Sequence, residues 1–124
     1  MTSFVPQRLR PLPHAFVVER LDHGARVPDG EWLALVRAPE GLTVIRRARP
    51  EDAPDTERWT ALYGGDTAHG LDVPGMLAAL LTPLAAAAIP VFVASTFDAD
   101  LVLVPAGRVP AAAAALRDAG HELA

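Results

Sequence analysis

The sequence predicts an α+β fold, a single antiparallel sheet carrying two helices on one face, and three observations predict it. From Arg58 onward the apolar patterning reads strand, helix, strand, strand, helix, strand. At the centre of that order the stretch Ala94 to Val104, ASTFDADLVLV, closes one apolar strand, turns through two carboxylates and opens a second. An apolar helical segment, Asp72 to Ile89, precedes it and an alanine-rich one, Pro110 to Ala119, follows. With short connections and right-handed crossovers, this order is best satisfied by a ferredoxin-like βαββαβ sandwich.

Taken in order, Thr2 to Pro13 is a proline- and arginine-bearing lead-in, read as an extended arm because each proline keeps its preceding residue out of helical geometry. His14 to Leu21 is the first strand, centred on Ala15-Phe16-Val17-Val18. His23-Gly24 and Pro28-Asp29-Gly30 turn the chain into Glu31 to Arg37, and Pro39-Glu40-Gly41 turns it into the β-branched strand Leu42 to Arg46. The N-terminal half is therefore mostly β. Ala48 to Glu57 mixes proline, acids and alanine without periodicity and reads as a connector.

Arg58 to Tyr63 resumes as a strand with Trp59, Ala61 and Tyr63 on one face, and Gly64-Gly65 ends it. Asp72 is a suitable N-cap for the helix that follows, with Pro74 tolerated in its first turn. Met76, Leu77, Leu80, Leu81, Leu84 and Ala88 share one face at three-and-four spacing. Pro83 conflicts with that helix, because a proline so far inside removes a backbone hydrogen bond; a bend is expected there. Pro90 stops the helix, Val91 to Thr96 is a strand, and Asp98-Ala99-Asp100 turns the chain into Leu101 to Val104, apolar on both faces and so in need of cover on both sides. Pro110 suits a first helical turn, Gly120 a C-cap, and His121 to Ala124 a short final strand.

Composition narrows the function. The 124 residues are 51% hydrophobic and 21% charged, which is ordinary for a globular domain. A formal charge of -4, with Arg46-Arg47 and Arg49 as the only basic cluster, argues against nucleic-acid binding. With no cysteine, thiolate metal sites and disulfides are excluded, and His14, His23, His69 and His121 show no metal-ligand spacing, so neither a metal nor a cofactor is expected. Val73 to Phe97 carries no charge, but Pro83, Pro90 and the abundance of alanine fit a buried helix and strand better than a membrane span. A cytoplasmic protein without membrane association is expected. Ser95, His69 and Asp98 can be drawn as a triad, yet no nucleophile elbow or oxyanion motif accompanies them, and 64–70 lacks the lysine and spacing of a phosphate loop. No enzyme is expected.

The segment GMLAALLTPL at 75–84, the run IPVFVASTFDADLVLV at 89–104 and the closing Ala119-Gly120-His121 together resemble ACT domains of the aspartokinase-regulatory and arginine-sensor type. Pro83 belongs to that pattern, and the Ser-Thr-Phe-x-x-Asp run is its most specific part. The resemblance covers roughly the second half; the first half resembles the degenerate first ACT-like unit of small tandem proteins in that group. It implies an N-terminal ACT-like unit over 1–56, with arm and connector, and an ACT domain over 57–124. It also implies a ferredoxin-like fold, no catalysis, and amino-acid binding at an interface between ACT units. The ligand-binding residues it implies are Gly70, Leu71, Val73, Pro74 and Gly75 in the loop, and Ser95, Thr96, Phe97, Asp98 and Asp100 in the turn.

Chemistry gives such a site a rationale. A helix N-terminus presents unpaired N–H groups and partial positive charge to a carboxylate, while Ser95, Asp98 and Asp100 offer acceptors to an ammonium or cationic side chain. Asp72 beside a carboxylate would repel it, which leaves Asp72 the capping role. The expected partner is an amino acid or similar small zwitterion. A homodimer is expected as well, because strands apolar on both faces need cover and ACT units share sites. Without the resemblance, Asp98 and Asp100 read as ordinary turn residues, Ser95 as a hydrogen-bonded strand hydroxyl, and Gly70 and Gly75 as backbone-geometry glycines. A ligand-free interaction module that keeps the ACT fold is the alternative function.

Overall fold

A computed structural model describes residues 5–65 and 74–124. Its elements are β1 (Arg8–Pro11), β2 (Phe16–Asp22), β3 (Trp32–Ala38), β4 (Gly41–Arg47), β5 (Trp59–Tyr63), α1 (Met76–Ala86), β6 (Phe92–Val93), β7 (Leu101–Pro105), α2 (Val109–Asp118) and β8 (Glu122–Leu123). They fall into two compact units, Met1–Pro13 with Thr60–Ala124, and His14–Trp59.

In the first unit the sheet order is β6-β7-β5-β1-β8. β1 runs antiparallel to β5, pairing Arg10 with Tyr63, and parallel to β8, pairing Arg8 with Glu122 and Leu9 with Leu123. The expected extended arm is thus a strand inside the sheet. In a four-stranded βαββαβ unit the last strand lies beside the first; here β1 occupies that place between β5 and β8. Prolines keep residues 5–13 extended, and Leu9 supplies an apolar side chain that is 1% exposed.

The core joins Leu9, Leu62, Val102 and Val104 of the sheet to Leu80 and Leu84 of α1 and Ala112 and Leu116 of α2. Alternate residues of a strand share a face, so both helices cover the face that carries Val102 and Val104. Leu101 and Leu103, on the opposite face, are buried too. Full burial of each such leucine or valine contributes about 1.5–3 kcal/mol, and the alanines of α2 let it approach closely.

The start of α1 departs from expectation. Asp72 lies outside the described residues, and the N-cap is Gly75, in the left-handed conformation with φ 82°. Left-handed Gly75 redirects the chain, so helical dihedrals begin at Met76. The end also comes early. The Ala88 N–H donates to the Ala85 carbonyl (2.9 Å) and the Ile89 N–H to the Leu84 carbonyl (3.0 Å), a Schellman turn that takes Ala88 out of the helix with φ 56°. Ala88, expected on the buried face, is therefore exposed, whereas Met76, Leu80 and Leu84 are buried as expected. α2 ends in the same motif, with Gly120 N–H on Arg117 O (2.9 Å), His121 N–H on Leu116 O (3.0 Å), and Gly120 at φ 96°.

The second unit contains an antiparallel sheet, β3-β4-β2, and no helix. β2 and β4 pair along their whole length, from Phe16 with Arg47 to Asp22 with Gly41, and a bulge between Trp32 and Ala34 interrupts β3. The expected connector belongs to this unit and is pinned to it. The Arg46 guanidinium holds Asp52 through two bonds (2.8 and 3.1 Å) and Glu19 through one (2.6 Å), and Asp52 also accepts from the Arg49 N–H (2.7 Å).

Candidate functional site

The Ser95–Asp100 turn is built by Thr96. Its hydroxyl donates to the Ala99 carbonyl (3.1 Å) and accepts from the N–H groups of Asp98 (3.3 Å) and Ala99 (3.2 Å), while its own N–H donates to Ala99 O (2.9 Å). One donor and two lone pairs are the whole capacity of a hydroxyl, so Thr96 is fully engaged in shaping the turn. Below it, β6 and β7 pair Phe92 with Leu103 and Val93 with Val102.

The two aspartates have different environments. Asp98 is exposed at the tip. Asp100 is 6% exposed and its Oδ1 accepts the Ser95 hydroxyl at 3.0 Å, while Ser95 Oγ also accepts, at 3.4 Å, from the Leu101 N–H. The Asp100 carbonyl accepts the Gly64 N–H (2.9 Å), which ties the turn to the end of β5. Phe97 projects from the tip, 76% exposed.

Of the loop residues, Pro74 and Gly75 stand exposed at the start of α1, and Gly70, Leu71 and Val73 lie outside the described residues, as does His69. Gly75 has no side chain to accept from the first-turn N–H groups of α1, so no side-chain cap is present there. The structure thus brings Ser95, Thr96 and Asp100 together and places Pro74 and Gly75 at a helix N-terminus. Among the described residues no cluster of three or more His, Cys, Asp or Glu side chains is arranged to hold a metal ion.

Gln7 carries no sequence signal of its own, and the sequence places His121 only in the closing motif and final strand, with no role assigned to its side chain. Both are buried, 2% and 3% exposed, and both reach α1: Gln7 Nε2 donates to the Met76 carbonyl (2.7 Å), and His121 Nε2 lies 2.9 Å from the Ala79 carbonyl. In the second unit a cleft of about 360 Å³ is lined by residues that include Asp29, Glu31, Arg47, Arg49 and Glu51. Its walls are solvated charges, with Arg47 already paired to Glu31 at 2.6 Å, and no residue singled out by the resemblance lines it.

The family model that matches this chain is that of the ACT domain, over residues 56–118. The chain belongs to the ACT domain family. No curated protein matches it. Among solved structures this ACT protein is similar to protein Atu0741 from Agobacterium tumefaciens, with 25% identity and a TM-score of 0.83, the match covering 98% of this chain and 94% of that one. It is similar also to VC0802 from Vibrio cholerae, described as a protein of unknown function and possible transport protein, with 20% identity, a TM-score of 0.71, and 94% and 88% coverage. Both likenesses extend far beyond residues 56–118 and show a shared fold. The mixed α+β architecture, mostly β with two α-helices among the described residues, fits an ACT-like fold. No helix among the described residues is long and apolar enough to cross a membrane.

Proposed function

We propose that this ACT-domain protein is a non-catalytic regulatory module that binds a small zwitterion, an amino acid, in the manner of the aspartokinase-regulatory and arginine-sensor ACT domains. ACT domains are commonly small-molecule regulatory modules, and the observation that carries the reading to this chain is the chemistry of its turn. A buried carboxylate, Asp100, is held in place by Ser95 beside the exposed carboxylate of Asp98, offering acceptors to an ammonium group. The complementary half is the start of α1, where glycine at the N-cap leaves first-turn amides to an α-carboxylate. Gly70, Leu71 and Val73 belong to the proposed site on the family resemblance, with Pro74, Gly75 and Phe97. Thr96 contributes by setting the turn. The protein acts in the cytoplasm as a homodimer on this reading.

A panel of the proteinogenic amino acids at millimolar concentration, read by thermal shift, tests it. A ligand present at about one hundred times its Kd adds about 2.7 kcal/mol of stability, a readily measured rise in melting temperature. A folded protein, free of carried-over ligand, whose melting point no amino acid moves would end the sensor reading. The 76% exposure of Phe97 favours a second reading, a protein-interaction module without a ligand. Under it Phe97→Ser abolishes capture of one defined protein partner, and Asp100→Asn leaves the partnership intact. Light scattering of the purified chain decides between monomer and dimer.

A further inference from the structure

We infer that His121, seconded by Gln7, is a positioning residue for the start of α1: it replaces the hydrogen bond that Pro83 removes from the helix. In an α-helix the N–H of residue 83 would donate to the carbonyl of residue 79, and proline has no N–H to give. Ala79 O is the carbonyl so orphaned, and His121 Nε2 lies 2.9 Å from it. The other ring nitrogen fixes the roles. His121 Nδ1 lies 3.0 Å from the Gln7 backbone nitrogen, which is only a donor, so Nδ1 accepts and Nε2 carries the hydrogen. The Gln7 side chain then donates to Met76 O one turn earlier (2.7 Å), and the Gln7 carbonyl accepts the Glu122 N–H (2.9 Å). Two buried polar side chains from β1 and β8, or from residues adjoining them, thus hold the carbonyls of the first and second turns of α1. The proline surrenders one bond to His121, so Gln7 and His121 together set the position of Gly75 and the amides that follow it. That last consequence rests on the ligand site proposed above; the exchange between Pro83 and His121 does not.

The tests separate the two. In the wild-type chain, long-range proton–nitrogen correlation of the His121 ring at neutral pH is expected to show the Nε2–H tautomer, and the Nδ1–H tautomer would overturn the inference. A double-mutant cycle without ligand pairs His121→Phe with Pro83→Ala. In the native background His121→Phe lowers the folding constant by about fivefold or more, the effect of stranding a partly buried carbonyl. In the Pro83→Ala background Ala79 O regains a helical donor, and the loss is at least about threefold smaller. Equal losses in the two backgrounds would overturn it. If His121→Phe does not fold, its rescue by Pro83→Ala supports the inference, and failure of both overturns it, provided Pro83→Ala alone folds. The ligand arm uses the amino acid giving the largest shift in the thermal panel. His121→Phe weakens its binding about tenfold or more, while Val104→Ala, a core truncation elsewhere in the same unit, leaves it within about twofold. Equal weakening by both variants would remove the positioning role. An empty panel removes the sensor reading and leaves the Pro83–His121 exchange to be decided by the first two measurements.

Discussion

Replacing Ala88 by glycine should stabilise the first unit, and the structure fixes how much. Ala88 sits at the left-handed position of the Schellman turn that ends α1, with φ 56°, where its Cβ crowds the following carbonyl oxygen. That conformation costs an L-residue about 1–2 kcal/mol, and glycine pays none of it. Against this, glycine gives the unfolded chain more freedom, worth about 0.4–1 kcal/mol. The difference is a net gain of at most about 1.6 kcal/mol for Ala88→Gly, centred on about 0.8 kcal/mol, or about 2–4 °C in melting temperature for a chain of this size. Ala88 is exposed, so no lost packing offsets the gain. Gly120 provides an internal control, because it holds the same place at the end of α2 with φ 96°. Gly120→Ala should cost a similar amount or more. Urea titrations of the two variants, compared at constant m-value, measure both. A destabilised Ala88→Gly, or a stabilised Gly120→Ala, would refute the backbone argument.

Two further outcomes concern the second unit. Asp52 is held down to about 2, first by the side-chain hydrogen bonds from Arg46 and then by the Arg49 N–H. Its folded value lies below its unfolded one, so its contribution is complete above about pH 4 and is lost as pH falls through about 2. A pH series of urea titrations should show that loss, with Asp52→Asn less stable at neutral pH and flatter below pH 4; an unchanged acid slope in the variant would exclude Asp52 as its source. Gly41, at φ 150°, has the Leu21 carbonyl oxygen where a Cβ would stand, and Gly41→Ala should cost at least about 2 kcal/mol in the same assay. A neutral effect would show that the β3–β4 hairpin is free to shift.

Local chemistry made most elements legible. Apolar and β-branched runs between turn signals placed β2 to β4, alternation placed β5, the unbroken run Leu101 to Val104 announced a strand covered on both faces, and Pro110 and Gly120 bracketed α2 to within a residue or two. The motif at 95–100 was legible as a turn bearing carboxylates. Its internal division was not, because Asp98 and Asp100 are identical in sequence, and only the pairing of β6 with β7 buries one and exposes the other. That the Thr96 hydroxyl closes the turn was likewise invisible before the turn's own hydrogen bonds were in place.

Helix and strand patterning, turn chemistry and the ACT-type run around Pro83 and Ser95 depend on neighbours along the chain, and so could be read from the order of residues alone. Contacts between residues far apart in that order could not. Arg8–Pro11 pairs between β5 and β8 because a sheet is closed by backbone hydrogen bonds between residues far apart in sequence, as Glu122 N–H to Gln7 O and Ala124 N–H to Leu9 O are. The apparent flaw at Pro83 becomes a joint for the same reason. The proline announces a missing donor, and nothing short of the folded sheet could show that His121 supplies it.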